Sequence, residues 1–310
     1  MYTIGSFFAP QIAVVIRWFQ AGCGFPDPKQ NGAPKLFDEE DFETRLVRPL
    51  RTFVSSRDAS VKQIIIVSNG DSRFGLGEHI DDAGETATMM ALRRTFPDEI
   101  RDGLIHILVD REWGNNAGSA HALNLGWRSA VDQEEISYIL SWNPEMAMTG
   151  GILARMLSHL EQHNLDFVGV YRKRYWLLYQ WRLAQNTACL WSVETLQSIN
   201  GFSPENCDGN DRRTITVPGF GVVTRAGMDD FDLALRCWLT QGRPLRWGMV
   251  CRADPVLWDV DFVPDDPRST MLQAKIARQP SIIEAWVEHH FPGERFSEVM
   301  DTFFAEGHSE

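Results

Sequence analysis

Apolar runs and polar stops alternate most clearly in the middle of the chain. Two short apolar runs, at residues 104–109 and 136–140, enclose a stretch in which apolar residues recur at helical spacing. Such runs are typical of strands buried on both faces of a parallel sheet, and the stretch between them is typical of a connecting helix. The helical positions are Ala120, Leu123, Trp127, Ala130 and Val131, which follow a loop at residues 114–118. The pattern predicts a β-loop-α-β unit.

Polar residues follow both predicted strands directly. The first strand ends at Asp110-Arg111-Glu112, and the second ends at Ser141-Trp142-Asn143-Pro144-Glu145. Ligands of open α/β sheets bind beyond the carboxyl ends of the parallel strands. We therefore expect a ligand site at this edge of the sheet.

The same patterns extend on both sides of this unit. Further strands are predicted at residues 12–16, 64–67 and 166–171, and further helices at residues 42–54, 89–96, 152–160, 193–200 and 229–241. Pro49 should kink the first of these helices. The Gly-rich, acidic residues 73–84 are expected to be mobile, and the long polar stretch at residues 203–227 is expected to be a functional loop.

Composition narrows the class of protein. A chain of 310 residues that is 44% apolar can bury a full core, and we expect one globule. The formal charge of -12 argues against a nucleic-acid or anionic-lipid partner, so a bound phosphate would need local basic groups or a metal. The absence of a leader and of an apolar run near the ~20 residues of a membrane span predicts a cytosolic protein. The five cysteines form no Cys-x-x-Cys pair and are expected to be mostly apolar fillers, and a homo-oligomer is left open.

Two stretches carry candidate chemistry in addition to the strand ends. Residues 116–126 (NAGSAHALNLG) place small side chains, including Gly118, where a helix can pack closely on a sheet, and Asn116 and Asn124 offer amides to a ligand. Residues 228–236 (MDDFDLALR) open a helix with three carboxylates in four residues, which is more than helix capping requires. Mutual repulsion would raise the pKa of one of the three carboxylates, whereas the helix dipole would lower it. A carboxylate balanced between these two effects could act as a general base.

In their order and spacing these motifs resemble the family-2 glycosyltransferases of the GT-A fold, over roughly residues 10–260. That family has a strand ending in acids, a helix motif like residues 116–126 and a strand ending in Asp-x-Asp. A Gly-Phe turn like Gly201-Phe202 follows, and then Glu-Asp-x-Asp-Leu, matched here by residues 229–233. The resemblance implies an α/β, mostly parallel mixed sheet flanked by helices. It divides the chain into a GT-A-like domain at residues 1–260, with a nucleotide-sugar-binding half at 1–148 and an acceptor-binding, catalytic half at 149–260, and a helical C-terminal extension at 261–310.

The resemblance also implies roles for individual residues. Asp230 would deprotonate an acceptor hydroxyl that attacks the anomeric carbon with inversion, Asp229 would bind the acceptor or sugar, and Asp232 would brace the helix through Arg236. Asn69 or Asp71 would lie near the nucleobase, although the family's acidic pair appears here as Ser68-Asn69. The predicted ligand-binding positions are Asn69, Asp71, Asn116, Gly118, Asn124, Ser141, Asn143, Arg172 and Arg174.

The family's Asp-x-Asp metal motif aligns with Ser141-Trp142-Asn143, which is a poor set of ligands for a hard cation. Asn143 with Glu145 could hold a weakly bound Mn²⁺ or Mg²⁺, or Arg172, Lys173 and Arg174 could neutralise the diphosphate without a metal. We favour the second.

The expected activity is therefore non-processive transfer from a nucleotide-diphosphate sugar to the hydroxyl of a sugar or small glycoconjugate. The processive relatives' Gln-x-x-Arg-Trp motif and membrane helices are not found in this sequence. The acceptor would lie over residues 172–230, where Trp176, Tyr179 and Trp181 could stack on it. The alternatives are a degenerate relative that binds a nucleotide or glycan without turnover, and retaining transfer, in which Asp230 would bind the acceptor.

Overall fold

A computed structural model describes residues 10–20, 22–27, 30–70, 77–111, 118–133, 135–144, 146, 148–170, 188–202, 214–217, 221–224, 233, 237, 240–250, 288, 292–295, 298 and 308–309.

A mixed, mostly parallel sheet forms the centre of this part of the chain. Its strands are β1 (Ile12–Trp18), β2 (Val61–Asn69), β3 (Ile105–Asp110), β4 (Tyr138–Trp142), β5 (Phe167–Val170), β6 (Ala188–Ser192), β9 (Trp247–Val250) and β10 (His308–Ser309). They are ordered β10-β9-β5-β6-β4-β1-β2-β3. Only β6 runs antiparallel to its neighbours, β4 and β5. The predicted α/β architecture with a mostly parallel central sheet is confirmed.

Helices cover both faces of this sheet. They are α1 (Glu39–Phe42), α2 (Arg48–Ser56), α3 (Ala87–Thr95), α4 (Pro97–Arg101), α5 (Gly118–Gln133), α6 (Gly150–Gln162) and α7 (Val193–Ser198). The strands have apolar residues on both faces, so each face builds its own core. One core contains Ala13 and Val15 with residues of α5 and α7, and the other contains Val14 and Ile16 with residues of α2, α3 and α6.

The predicted irregularity at Pro49 takes the form of a π-helical turn. The turn spans Glu43–Val47 and joins α1 to α2, and the Arg48 N–H donates to Glu43 O, five residues back. Pro49 then lies in the first turn of α2, directly behind the π-helical turn.

Several elements differ from the sequence-based expectation. Within residues 203–227, predicted as a loop, β7 (Thr214–Val217) and β8 (Gly221–Thr224) form a two-stranded antiparallel sheet. Strands β6 and β9 were not predicted, and β10 joins two residues of the expected helical extension to the sheet. The expectation of mobility at residues 73–84 is wrong at Glu78, whose side chain is completely buried.

Three cysteines lie in the described residues, Cys23, Cys189 and Cys237, and all three are buried. They fill apolar space as predicted. Among the helices that the structure describes, none combines the length and the apolar character that a bilayer span needs.

Candidate functional site at the carboxyl ends of the strands

The carboxyl ends of β1 to β4 meet at one edge of the sheet because these strands are mutually parallel. Trp18 ends β1, Asn69 ends β2, Asp110 ends β3 and Trp142 ends β4. The edge expected from the sequence is therefore formed, and it carries both polar and aromatic groups.

Asp110 is the centre of a buried polar group at this edge. It has no exposed surface, and it pairs in register with Asn69 on β2. Its Oδ1 lies 2.7 Å from His121 Nδ1 in the first turns of α5, and its Oδ2 accepts from Asn69 Nδ2 at 3.4 Å. A carboxylate at Nδ1 fixes that nitrogen as the protonated one, so the imidazole has one orientation and one tautomer. The side chain of His121 remains about one-third exposed.

His121 was not among the predicted site residues, and its contact with Asp110 was missed. An acid at the end of a strand, followed by a histidine in the first turns of the next helix, was the available signal.

Two buried polar atoms at this edge are unsatisfied within the described residues. They are the Oδ1 atom of Asn69 and the Nε1 atom of Trp18. Buried polar atoms are nearly always paired, and exceptions need a physical reason. The nucleobase contact expected of Asn69 remains a prediction, and Oδ1 is the atom that would make it.

The end of β4 is a tight turn in which Met146 N donates to Asn143 O at 2.9 Å and Trp142 Nε1 donates to Met146 O at 2.7 Å. Ser141 is buried and Asn143 is half-buried. A hydroxyl and a neutral amide are weak ligands for Mn²⁺ or Mg²⁺, which prefer carboxylate oxygens. The described residues also contain no cluster of three or more His, Cys, Asp or Glu side chains that could hold a metal. The described part of this edge does not fit a divalent cation.

Helix α5 packs very closely on the sheet, as the small residues of 116–126 predict. Ala120 and Ala122 are buried, and a Cβ atom added at Gly126 would lie 2.4 Å from Val15 Cγ1. Helix α5 begins at Gly118, and its first turns lie beside the end of β3, where His121 contacts Asp110.

Asn124 has a structural role rather than the predicted ligand contact. Its Nδ2 donates to Phe202 O at 2.6 Å, and its Oδ1 accepts from Phe202 N at 2.8 Å and from Trp127 Nε1 at 2.9 Å. The residue is only 5% exposed. Both ends of its amide are used within the protein, so the assignment of Asn124 to ligand binding is corrected.

The turn that Asn124 holds ends helix α7, as the Gly201-Phe202 pattern predicts. Ser192 caps the start of α7 by accepting from Thr195 N, and Gly201 N donates to Leu196 O at 2.7 Å after its end. Gly201 has a φ of +74°, and a Cβ atom there would lie 2.4 Å from Asn124 Oδ1. Only glycine fits this position.

Two residues of the helix predicted at residues 229–241 pack on the same core. Leu233 and Cys237 are helical and fully buried, in one cluster with Trp127 and Phe202. The helix ends before Gly242, which has a φ of +64°. The helix motif, the Gly-Phe turn and the residues that follow the acidic motif therefore meet in one place.

Other predicted site residues lie outside the described residues. They are Asp71, Asn116, Glu145, Arg172, Arg174, Asp229 and Asp230, together with the proposed acceptor-stacking residues Trp176, Tyr179 and Trp181.

No protein-family model matches the chain, and no curated protein matches it. Several solved structures are similar. TarS 1–349 of S. aureus in complex with UDP is 12% identical with a TM-score of 0.39, and the match covers 65% of this chain and 53% of that one. A further structure of S. aureus TarS 1–349 is 13% identical with a TM-score of 0.41, over 95% and 83% of the two chains.

Glucosyl-3-phosphoglycerate synthase from Mycobacterium tuberculosis, in complex with Mn²⁺, UDP and phosphoglyceric acid, is 13% identical. Its TM-score is 0.46, and the match covers 92% of this chain and 80% of that one. This chain spans about half, 53%, of the length of the TarS chain in the UDP complex.

Proposed function

We propose that this protein is a GT-A-type glycosyltransferase that moves a sugar from a nucleotide-diphosphate sugar to an acceptor hydroxyl, with inversion and without processivity. The observation that supports it most directly is the convergence of three separate motifs on one core cluster. Asn124 of the helix motif binds the backbone of Phe202, and Leu233 packs in the same cluster just after the acidic motif. Chance matches scattered along a chain would have no reason to meet in the fold.

Asp230 is proposed as the general base that takes the proton of the acceptor hydroxyl. Asp229 would orient the acceptor or sugar by hydrogen bonding. The burial of Leu233 and Cys237 supports this proposal, because it anchors in the core the chain that directly follows these acids. The attacking oxygen would approach the anomeric carbon opposite the leaving diphosphate, which inverts its configuration.

The diphosphate needs positive charge, and the described donors Ser141 and Asn143 do not favour a divalent cation. We propose that the basic residues Arg172, Lys173 and Arg174 neutralise it, since guanidinium groups bind phosphate oxygens in pairs. Activity that survives a chelator would support this proposal. Strict dependence on Mn²⁺ or Mg²⁺ would instead favour a site at Asn143 and Glu145.

Asp230→Asn tests the proposed base. An amide cannot take a proton at neutral pH, so turnover should fall by about 10²–10⁴-fold, the usual contribution of a general base. Nucleotide affinity should change by no more than a few-fold because the acceptor side is altered. Transfer to acceptors is measured with a panel of nucleotide sugars, and NMR of the product gives its anomeric configuration.

The matched control is Asp232→Asn, which changes an acid of the same motif assigned to bracing the helix. Unchanged turnover in Asp230→Asn would remove the proposed base, and a retained configuration would make Asp230 an acceptor-binding group.

The weak metal ligands at Ser141 and Asn143 also favour a second candidate, a relative that binds a nucleotide or glycan without turnover. Under this reading a nucleotide sugar raises the melting temperature of the protein but no acceptor is glycosylated. If no nucleotide or nucleotide sugar stabilises the protein at millimolar concentration, the proposed transferase fails and only glycan binding remains of the second candidate.

A further inference from the structure

Glu78 is a buried carboxylate that joins three elements at the carboxyl edge of the sheet. Its Oε1 accepts from Gln20 N after β1 at 3.1 Å, from Ser68 Oγ on β2 at 3.3 Å and from Thr88 Oγ1 in α3 at 2.7 Å. Its Oε2 accepts from Thr88 N at 2.9 Å, in the first turn of α3. A completely buried carboxylate is costly unless its oxygens are satisfied, and here both are.

The backbone around Glu78 ties together the segments that follow β1 and β2. Glu78 N donates to Asn69 O at 3.0 Å, and Glu78 forms a parallel bridge with Gly70. On either side, Gly22 N donates to Gly77 O and His79 N donates to Cys23 O, both at 2.8 Å. The hydrogen bond from Glu78 N thus fixes the backbone of Asn69, where β2 ends.

We propose that Glu78 is a positioning residue for the nucleoside end of the donor site, an inference that rests on the proposed function. Asn69, whose buried Oδ1 has no partner among the described residues, is a proposed nucleobase contact, and Glu78 N binds the backbone of Asn69 at the end of β2. Binding of the donor's diphosphate is assigned to other residues. Glu78 should therefore affect only the binding of the nucleoside part of the donor.

The network requires a carboxylate rather than an amide. Each oxygen of Glu78 accepts from a backbone N–H, Gln20 at one and Thr88 at the other. An amide nitrogen accepts no hydrogen bond, so a glutamine here must place its NH₂ group against one of those N–H donors. Burial raises the pKa of Glu78, and the hydrogen bonds from Thr88, Gln20 and Ser68 oppose that rise.

The test compares wild type with Glu78→Gln and with Glu85→Gln. Glu85 is a matched control because it lies in the same segment but forms a partly exposed ion pair with Arg93. Calorimetry measures the affinity for uridine, guanosine, adenosine and cytidine diphosphates and for inorganic pyrophosphate. For the diphosphate that binds best, Glu78→Gln should weaken affinity about tenfold, the equivalent of one lost buried hydrogen bond. Pyrophosphate affinity should stay within about twofold, and Glu85→Gln should match wild type.

Amide hydrogen exchange provides the direct readout of positioning. In Glu78→Gln the amides of Gly22 and His79 should exchange faster, while those of β1 and β4 keep wild-type protection. If Glu78→Gln binds the nucleoside diphosphate within twofold of wild type, the inference is overturned while the proposed function still stands. Equal losses for nucleoside diphosphate and pyrophosphate would reduce Glu78 to a general structural role and also overturn it.

If wild type binds no nucleoside diphosphate, the proposed function fails and this inference fails with it. Should Glu78→Gln not fold, Thr88→Val removes one hydroxyl donor to Glu78 and keeps both backbone donors. That variant should lose nucleoside diphosphate affinity by about threefold, about half the free-energy effect of a full hydrogen bond. Wild-type affinity in Thr88→Val would then count against the inference.

Discussion

The amide of Asn124 illustrates how one side chain can fix a turn far away in the sequence. It binds both backbone groups of Phe202, 78 residues later, and it also accepts from the indole of Trp127. An aspartate could not donate to Phe202 O, and a side chain on residue 201 would collide with the amide oxygen. Asn124 and Gly201 are therefore required together.

Replacing Asn124 by alanine should lower the free energy of unfolding by about 2–4 kcal/mol, because three hydrogen bonds are lost and their partners stay buried. Urea denaturation measures the loss. Gln162→Ala is the control, since its amide is exposed at the end of α6, and it should stay within about 0.5 kcal/mol of wild type. An equally small effect for Asn124→Ala would mean that these hydrogen bonds add nothing to the free energy of unfolding. Asn124 would then again be a candidate for ligand binding.

The sequence could locate Asn124 on a helix near the ligand edge but could not choose its partner. A polar residue at such a place can point to a ligand or to a distant turn, and only the fold decides between them. The same holds for His121, whose acid lies 11 residues earlier on β3. Glu78 gave no sequence signal, because an acid in a Gly-rich, acidic segment is typical of mobile surface.

At the scale of elements, α5 owes its position to a glycine that lets it approach β1. Strands β1 to β5 could be predicted from apolar runs, and this holds even for β3, which lies at the edge of the sheet and is mostly only partly buried. Strand β6 was missed because the apolar run at residues 188–192 follows an aromatic-rich segment without a break. Its antiparallel insertion between β4 and β5 depends on pairing across the fold.

Gly126→Ala should destabilise the protein by about 1–3 kcal/mol, because its Cβ would overlap Val15 in the buried core. The overlap should outweigh the gain of up to about 1 kcal/mol that alanine brings to a helix interior. Gly151→Ala on α6 is the matched control, since the nearest atom to its Cβ is Thr149 Oγ1 at 3.8 Å. Thermal unfolding of the two variants should give opposite or clearly unequal shifts. Equal shifts would show that the approach of α5 to β1 relaxes at no cost.

At the scale of the whole molecule, a buried ion network secures the edge of the sheet opposite the candidate site. Asp166 precedes β5 and accepts from Thr195 Oγ1 in α7 at 2.9 Å, from Arg243 at 2.6 and 2.8 Å and from Arg246 N at 2.7 Å. It thus joins β5, α7 and the start of β9. Because this network lies away from the strand carboxyl ends, it should affect stability without affecting ligand affinity.

The Asp166 network should make stability depend on acid in a defined direction. Burial alone would raise the pKa of Asp166, but the hydrogen bonds from Arg243 and Arg246 outweigh it and hold the pKa below its usual value. A carboxylate whose pKa is lowered by folding stabilises the folded state. This stabilisation is fully present above the carboxylate's pKa in the unfolded chain, about 3.9, and is lost as the pH falls through its pKa in the folded protein. Asp166→Asn should therefore cost about 3 kcal/mol at pH 7, towards the lower end for a broken buried pair because both arginines are about one-third exposed.

The difference between wild type and Asp166→Asn should stay constant from pH 7 to about 4 and shrink below that, as followed by urea denaturation across the pH range. Asp98→Asn is the control, because its pair with Arg101 is exposed and is worth less than about 1 kcal/mol. A difference that grew towards acid pH would contradict the lowered pKa. A loss no larger than that of Asp98→Asn would show that α7 and β9 are held to β5 by apolar packing, with Phe167 stacked on Trp191 at 4.3 Å as its centre.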